Sequence, residues 1–226
     1  MIRASQVFNN EQTEQINEAI VEAESHTSAE IVPVVATESG RYDRPEDMVG
    51  LWFGLVLAAI AYLLVPDASD DPNNWGQASS GIGKMIVVLV STVAGFVAGA
   101  VVASRVAWLR RLCTPRRQMI DEVQSRARSV FFDNRIHRTE GGTGLLVYIS
   151  LFEHQAALIA DETVTEKLGQ TALDELCKEL TSALRGGDIA EAICQSMVSA
   201  GQRLGEVLPR QDDDVNELPD SLVTLD

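Results

Sequence analysis

Three carboxylates, Glu30, Glu153 and Asp161, stand at or near the ends of apolar runs that read as strands. Strand ends are where α/β sheets bind ligands. If the fold brings the three together, their oxygens can hold a hard cation such as Ca2+; solvated strand ends are the plainer reading of the same residues. Glu140-Gly141-Gly142-Thr143-Gly144 is the one glycine-rich loop with chemical appeal. A phosphate cradle needs its glycines after a strand and before a helix, whereas these precede a strand and no Lys follows, so a turn is expected. His26, His137 and His154 show no HxxxH or HExxH spacing, and zinc is not expected. No Ser–His–Asp spacing singles out Ser39 or Ser150 as a nucleophile. No catalytic residue is assigned, and Ca2+ is the one cofactor these residues suggest.

The elements that must position such groups can be read from periodicity. Asn9 or Asn10 caps a helix over about Glu11–Ser25, with Ile16, Ala19, Ile20 and Ala23 on one stripe. Phe8 before the cap suits a hydrophobic staple. Glu30–Ala36 reads as a strand, with Pro33 implying an edge position or a bulge because it has no N–H to donate. Arg116–Phe132 is an amphipathic helix, Gly144–Ser150 a strand apolar on both faces, and Ala156–Ala160 its antiparallel partner across a short link. A helix burying Leu168, Leu173, Leu176, Cys177, Leu180 and Leu184 stops at Gly186-Gly187. The next begins at Asp188 with Glu191 three residues on, a capping-box arrangement. The acidic tail after Pro209 lacks apolar periodicity and is expected to be flexible. About three strands and four helices outside the apolar middle predict an α/β layered sandwich.

Two segments interrupt this pattern. Leu51–Val65 and Met85–Ser104 contain no Asp, Glu, Lys, Arg or His, and the hydrocarbon core of a bilayer takes about 20 such residues as a helix. Helices over about 49–65 and 84–107 therefore predict a transmembrane hairpin. Arg105, Arg110, Arg111, Arg116 and Arg117 follow the second segment, and Arg41 and Arg44 precede the first. The loop between them holds Asp67, Asp70 and Asp71. Positive charge stays inside, so both flanks should be cytoplasmic in a bacterial inner-membrane protein that crosses twice. Gly50, Gly54 and Ala58 recur every four residues in the first segment, and Ser91, Gly95, Gly99 and Ala103 in the second, matching small-xxx-small rows that suit a tight hairpin or a homodimer through Gly95 and Gly99. No ionisable residue lies at mid-membrane depth, which argues against a channel or transporter.

The predicted organisation is residues 1–48 and 110–208 as two parts of one α/β domain, 49–109 as the inserted hairpin, and 209–226 as the tail. The chain has 226 residues and a net charge of −15, which disfavours nucleic-acid partners because phosphates need clustered Lys and Arg. Cys113, Cys177 and Cys194 follow no CxxC or zinc spacing, consistent with free thiols in a reducing compartment. The first twenty residues are polar, so no signal peptide is expected there.

Several runs resemble the TPM domain family. In the first half the run is Thr27-Ser28-Ala29-Glu30-Ile31-Val32-Pro33-Val34-Val35, with Ser39-Gly40-Arg41-Tyr42 before the membrane segment. In the second half the runs are Thr143 to Glu153, Ala157 to Asp161, Leu184-Arg185-Gly186-Gly187-Asp188 and Asn216-Glu217-Leu218-Pro219-Asp220. The resemblance implies a Rossmann-like α/β/α domain tethered to a membrane and serving the maintenance or assembly of membrane protein complexes. Calcium binding and acid phosphatase activity are attributed to plant members. This chain departs from many relatives in its predicted cytoplasmic placement and in lacking a glycine-rich tail. The expected function is a non-catalytic interaction module whose partners are membrane lipids and membrane proteins; the alternative is a Ca2+-dependent phosphatase.

Overall fold

The computed structural model describes residues 3–40, 42–65, 78–139, 141–211 and 214–226. Arg41, Glu140, Asp67, Asp70, Asp71, Asp212 and Asp213, on which some sequence expectations rest, lie outside them. The described α-helices are α1 (Asn10–Glu24), α2 (Asp43–Leu64), α3 (Ala78–Arg105), α4 (Ala107–Cys113), α5 (Arg116–Asp133), α6 (Glu162–Leu168), α7 (Gln170–Leu184) and α8 (Ile189–Val207). The strands are β1 (Glu30–Ala36), β2 (Gly144–Ser150), β3 (Gln155–Ala160) and β4 (Val223–Leu225). The chain divides into two compact units, Met1–Gly40 with Arg116–Asp226, and Arg41–Pro115.

The first unit is a mixed four-stranded sheet in the order β3-β2-β1-β4. β1 and β2 run parallel in register from Glu30↔Gly144 to Ala36↔Ser150, so strands on either side of the inserted segment make the sheet's central pair. β3 returns antiparallel to β2, as the short link predicts. Alternate residues of the two central strands bury on opposite faces. Ile31, Val35, Leu145, Val147 and Ile149 join α1, α7 and α8 in one core; Val32, Val34, Leu146 and Tyr148 meet Val123, Ala127, Val130 and Phe131 of α5 in the other. A strand covered on both sides has no polar face to show, hence the unbroken apolar runs.

α1 starts where expected. The Asn9 side chain accepts the Gln12 N–H at 2.7 Å, and Gln12 returns its side-chain oxygen to the Asn9 N–H at 3.1 Å, satisfying two of the helix's orphan donors. The single helix expected through Leu168–Leu184 is broken at Gly169, whose φ of 85° lies outside helical space. The tail, expected to be flexible, contributes β4, parallel to β1 and paired at Val34, Val35 and Ala36.

Pro33 lies in an inner strand, but on the side its missing donor would face β1 has no strand neighbour at that position, so it is locally at a rim and in no bulge. The Thr37 N–H donates to the Leu225 carbonyl at 2.8 Å and the Glu30 N–H to the Thr143 carbonyl at 3.3 Å. Odd-numbered residues of β1 thus direct their N–H toward β4, and even-numbered ones toward β2. β4 begins opposite Val34, so at Pro33 there is no ladder bond to lose. One step earlier the Ile31 N–H, left without a strand partner on that side, donates to Glu24 Oε1 at 2.8 Å.

In the second unit α2 and α3 pair through their small residues. A Cβ added at Gly95 would lie 2.8 Å from the Phe53 carbonyl oxygen and 2.9 Å from Gly54 Cα, and one at Gly54 would lie 2.9 Å from the Thr92 carbonyl oxygen. The Gly95 and Gly99 face is filled by the chain's own α2. Lys84 Nζ stands 4.1 Å from the centroid of the Tyr62 ring at the loop end, a pairing suited to a membrane–water boundary. Glu46–Leu64 and Gly81–Arg105 are long and apolar enough to cross a membrane, and only 17 % and 11 % of their apolar windows are buried. A core helix of a soluble protein is mostly covered; these are not.

Candidate functional site

The sheet separates the three carboxylates singled out by sequence. Glu30 opens β1 opposite Gly144, and the Asp161 N–H donates to the Gly144 carbonyl at 2.9 Å. Glu30 and Asp161 therefore share one sheet end but stand about 10 Å apart, with β2 between them. Glu153 follows β2 at the opposite end, roughly 20 Å away at about 3.3 Å per residue. Ca2+ takes its oxygens at about 2.3–2.6 Å, so these three cannot share an ion. Among the described residues no group of three or more His, Cys, Asp or Glu side chains is arranged to hold a metal.

Each carboxylate has structural work instead. Glu153, 1 % exposed, accepts the Ser39 N–H at 2.9 Å and the Ser150 hydroxyl, tying the segment after β1 to the hairpin after β2. Ser39 Oγ lies 3.0 Å from the Tyr148 hydroxyl. Burial pushes the Tyr148 phenol up, against the pull of its Ser39 bond and the nearby Arg126 guanidinium, so it stays protonated at neutral pH and is no base for Ser39. Ser150 has a carboxylate partner of the kind that activates a nucleophile, yet it is itself 1 % exposed and presents nothing to a substrate. Beside it His154 holds a left-handed φ of 51°, a conformation a non-glycine residue adopts only under constraint. Replacing Glu153 by Gln removes one acceptor from two buried donors. It is expected to lower unfolding stability by about 1–2 kcal/mol, read by denaturant titration in detergent.

At the other end, Asp161 caps α6, its Oδ1 accepting the Glu162 N–H at 3.1 Å. The Thr163 hydroxyl donates to the Gly141 carbonyl at 2.6 Å, so the glycine-rich loop is a buttressed turn, as its position before a strand predicts. Glu30 accepts the N–H groups of Glu217 and Leu218 at 3.1 and 3.2 Å, fastening the C-terminal segment to β1. Next to it Glu24 accepts the Ile31 N–H within the field of Asp220, and Asp220 receives the Asn216 side-chain amide. Burial first, then the charges of Glu30 and Asp220, raise the Glu24 pKa to about 8. Burial likewise raises Glu30, opposed by its two backbone bonds.

Sequence reasoning missed Glu24 and Asp220 as partners. Asp220 ends the run Asn216–Asp220, which the fold sets beside the run Thr27–Val35; Glu24 lies in neither run. The arrangement is a latch that closes the C-terminal segment over the start of the sheet.

No family model matches the chain, and no curated protein matches it. Among solved structures it is similar to the NMR structure of the BA42 protein from the psychrophilic bacterium Bizionia argentinensis. The identity is 15 %, with a TM-score of 0.55 over 96 % of this chain and 94 % of that one. That likeness is one of fold.

Proposed function

We propose that this chain is a membrane-anchored interaction module: a Rossmann-like α/β/α domain of TPM type held at the bacterial inner membrane by the α2–α3 hairpin and serving the maintenance or assembly of membrane protein complexes. The observation that carries the reading is the uncovered apolar surface of two paired helices inserted between the central strands of one sheet. Because β1 and β2 pair directly, the polypeptide that leaves the domain after β1 returns to it, which suits an even number of crossings. Arginines after the second helix and carboxylates in the connecting loop favour a cytoplasmic domain. The buried hydroxyls and carboxylates serve the fold, which favours binding over turnover.

Two measurements test this. In a background with Cys113, Cys177 and Cys194 changed to Ser, a Ser79→Cys variant should react with an impermeant maleimide from outside intact cells, and Ser221→Cys only after lysis. External labelling at 221 overturns the orientation. Crosslinking in native membranes should capture integral membrane proteins; capture of soluble proteins alone overturns the assembly role. Steady phosphomonoester turnover that depends on Ca2+ would replace this reading with the enzymatic one.

A further inference from the structure

We propose that the outer edge of β3 is a docking site for an extended segment of a partner protein, which adds as a fifth strand between α5 and α7 and carries an acidic residue next to a basic one. This deepens the interaction-module reading and rests on it for its biological meaning.

The backbone supplies the first argument. The Asp161 N–H bond to the Gly144 carbonyl and the Leu145↔Ala160 register fix which residues of β3 bond to β2. Gln155, Ala157 and Ile159 do so; Ala156, Leu158 and Ala160 turn their N–H and C=O groups away from the sheet. Proteins protect such rims with Lys, Pro, bulges or a covering element. The sequence of β3, QAALIA, has none of the first two and no charge, and its pairing runs unbroken by a bulge.

The rim instead forms the floor of a cleft of about 280 Å3, walled by Gln124 and Arg128 of α5 on one side and Gln170, Asp174 and Cys177 of α7 on the other. Within it the Cys177 thiol donates to the Ala156 carbonyl at 3.4 Å. Burial raises that thiol's pKa, so it keeps the proton it donates. A thiol is a weak donor and a weak acceptor; a strand offering amides in its place gains the stronger bonds.

Charge selects the occupant. α5 and α7 lie on opposite faces of the sheet, and neighbouring side chains of an added strand point to opposite faces. One residue of the guest therefore meets exposed Arg128 and the next meets exposed Asp174, which calls for an acid beside a base. The uncharged β3 of a second copy answers neither, which disfavours self-pairing of the two rims.

The test uses the full-length protein in detergent micelles with a fluorescent TVEKVT peptide, capped at both ends. Binding should slow amide hydrogen exchange at Ala156, Leu158 and Ala160 at least tenfold, leaving Ala157 and Ile159 unchanged. A backbone N-methylated peptide of the same sequence should not bind. Arg128→Glu makes both walls acidic and should shift preference from TVEKVT to TVKKVT by about fivefold or more. No protection by TVEKVT, or equal binding of the N-methylated peptide, overturns the proposal. Concentration-dependent protection of the same amides without peptide overturns it in favour of a second copy. Membrane crosslinking reports the broader role independently, so captured membrane partners alongside a peptide-blind rim would end this inference and leave that reading standing.

Discussion

Replacing Gly95 by Leu should separate α2 from α3. Even a Cβ at this position would lie 2.8 Å from the Phe53 carbonyl and 2.9 Å from Gly54 Cα, and neither is a flexible side chain that can swing aside. Leu adds three further carbons in the same direction, so the helices must part or slide. The expected cost is about 3 kcal/mol, close to a hundredfold in the closed-to-open ratio of the hairpin. Lipid tails offer no hydrophobic drive to restore it, since association in a bilayer rests on close packing itself. The readout is disulfide formation between cysteines placed at Ala58 and Ser91, the next step of four residues along the seam that sets Gly99 against Gly50 and Gly95 against Gly54. Gly95→Leu should slow that oxidation tenfold or more. Val93→Leu, on the exposed side of α3, should leave it unchanged; equal slowing by both would show that the small-residue seam does not hold the pair.

Glu24→Gln should make the protein more stable at alkaline pH and no different in mild acid. Glu24 has a folded-state pKa of about 8 against an ordinary 4.5. A carboxyl raised in this way binds its proton more readily folded than unfolded, so stability falls as pH rises between these two values. Gln is the shape of the protonated acid. Its carbonyl still accepts the Ile31 N–H, and it carries no charge to be repelled by Glu30 and Asp220. At about 1.4 kcal/mol per pH unit, roughly halved because the side chain partly reaches water, the gain near pH 9 is about 2 kcal/mol. For a domain of this size that is about 4–8 °C in Tm. Thermal melts of the two proteins should coincide near pH 4.5, diverge up to about pH 8 and keep a constant gap above it. A residual slope in the variant belongs to Glu30, raised in the same direction by burial. Parallel curves across the range would show that Glu24 titrates as an ordinary surface acid.

What could be read from the chain follows from how far each feature is encoded locally. β1 and β2 carry their boundaries in unbroken apolar runs, and Asn9 and Asp188 announce helix starts through side chains that satisfy backbone donors within three residues. The apolar helices are evident from the absence of charge alone. β4 was hidden because three residues of a short strand leave no period to detect, and its order comes from β1 and the Glu30 latch rather than from its own composition. The break at Gly169 was hidden because apolar positions keep helical spacing across it. Pro33 marked a local rim in an otherwise inner strand, and where that rim lies depends on where β4 stops. The site expectation failed for a topological reason: Glu30, Glu153 and Asp161 are all strand-end residues, but a sheet has two ends, and antiparallel β3 carries Asp161 back to the end where β1 starts.

The pairing of Glu30–Ala36 with Gly144–Ser150 also sets a timetable for biosynthesis. Between Ala36 and Gly144 the ribosome must make the whole inserted segment and α5, roughly a hundred residues, which at about 5–20 residues per second takes on the order of 5–20 s. During that interval a seven-residue strand, buried at every position in the finished molecule, has emerged with both its backbone rims naked. Its eventual neighbour is still unmade, and the two long apolar helices between them are still being synthesised. Anything that lengthens this interval lengthens the exposure of an unpaired apolar strand to aggregation.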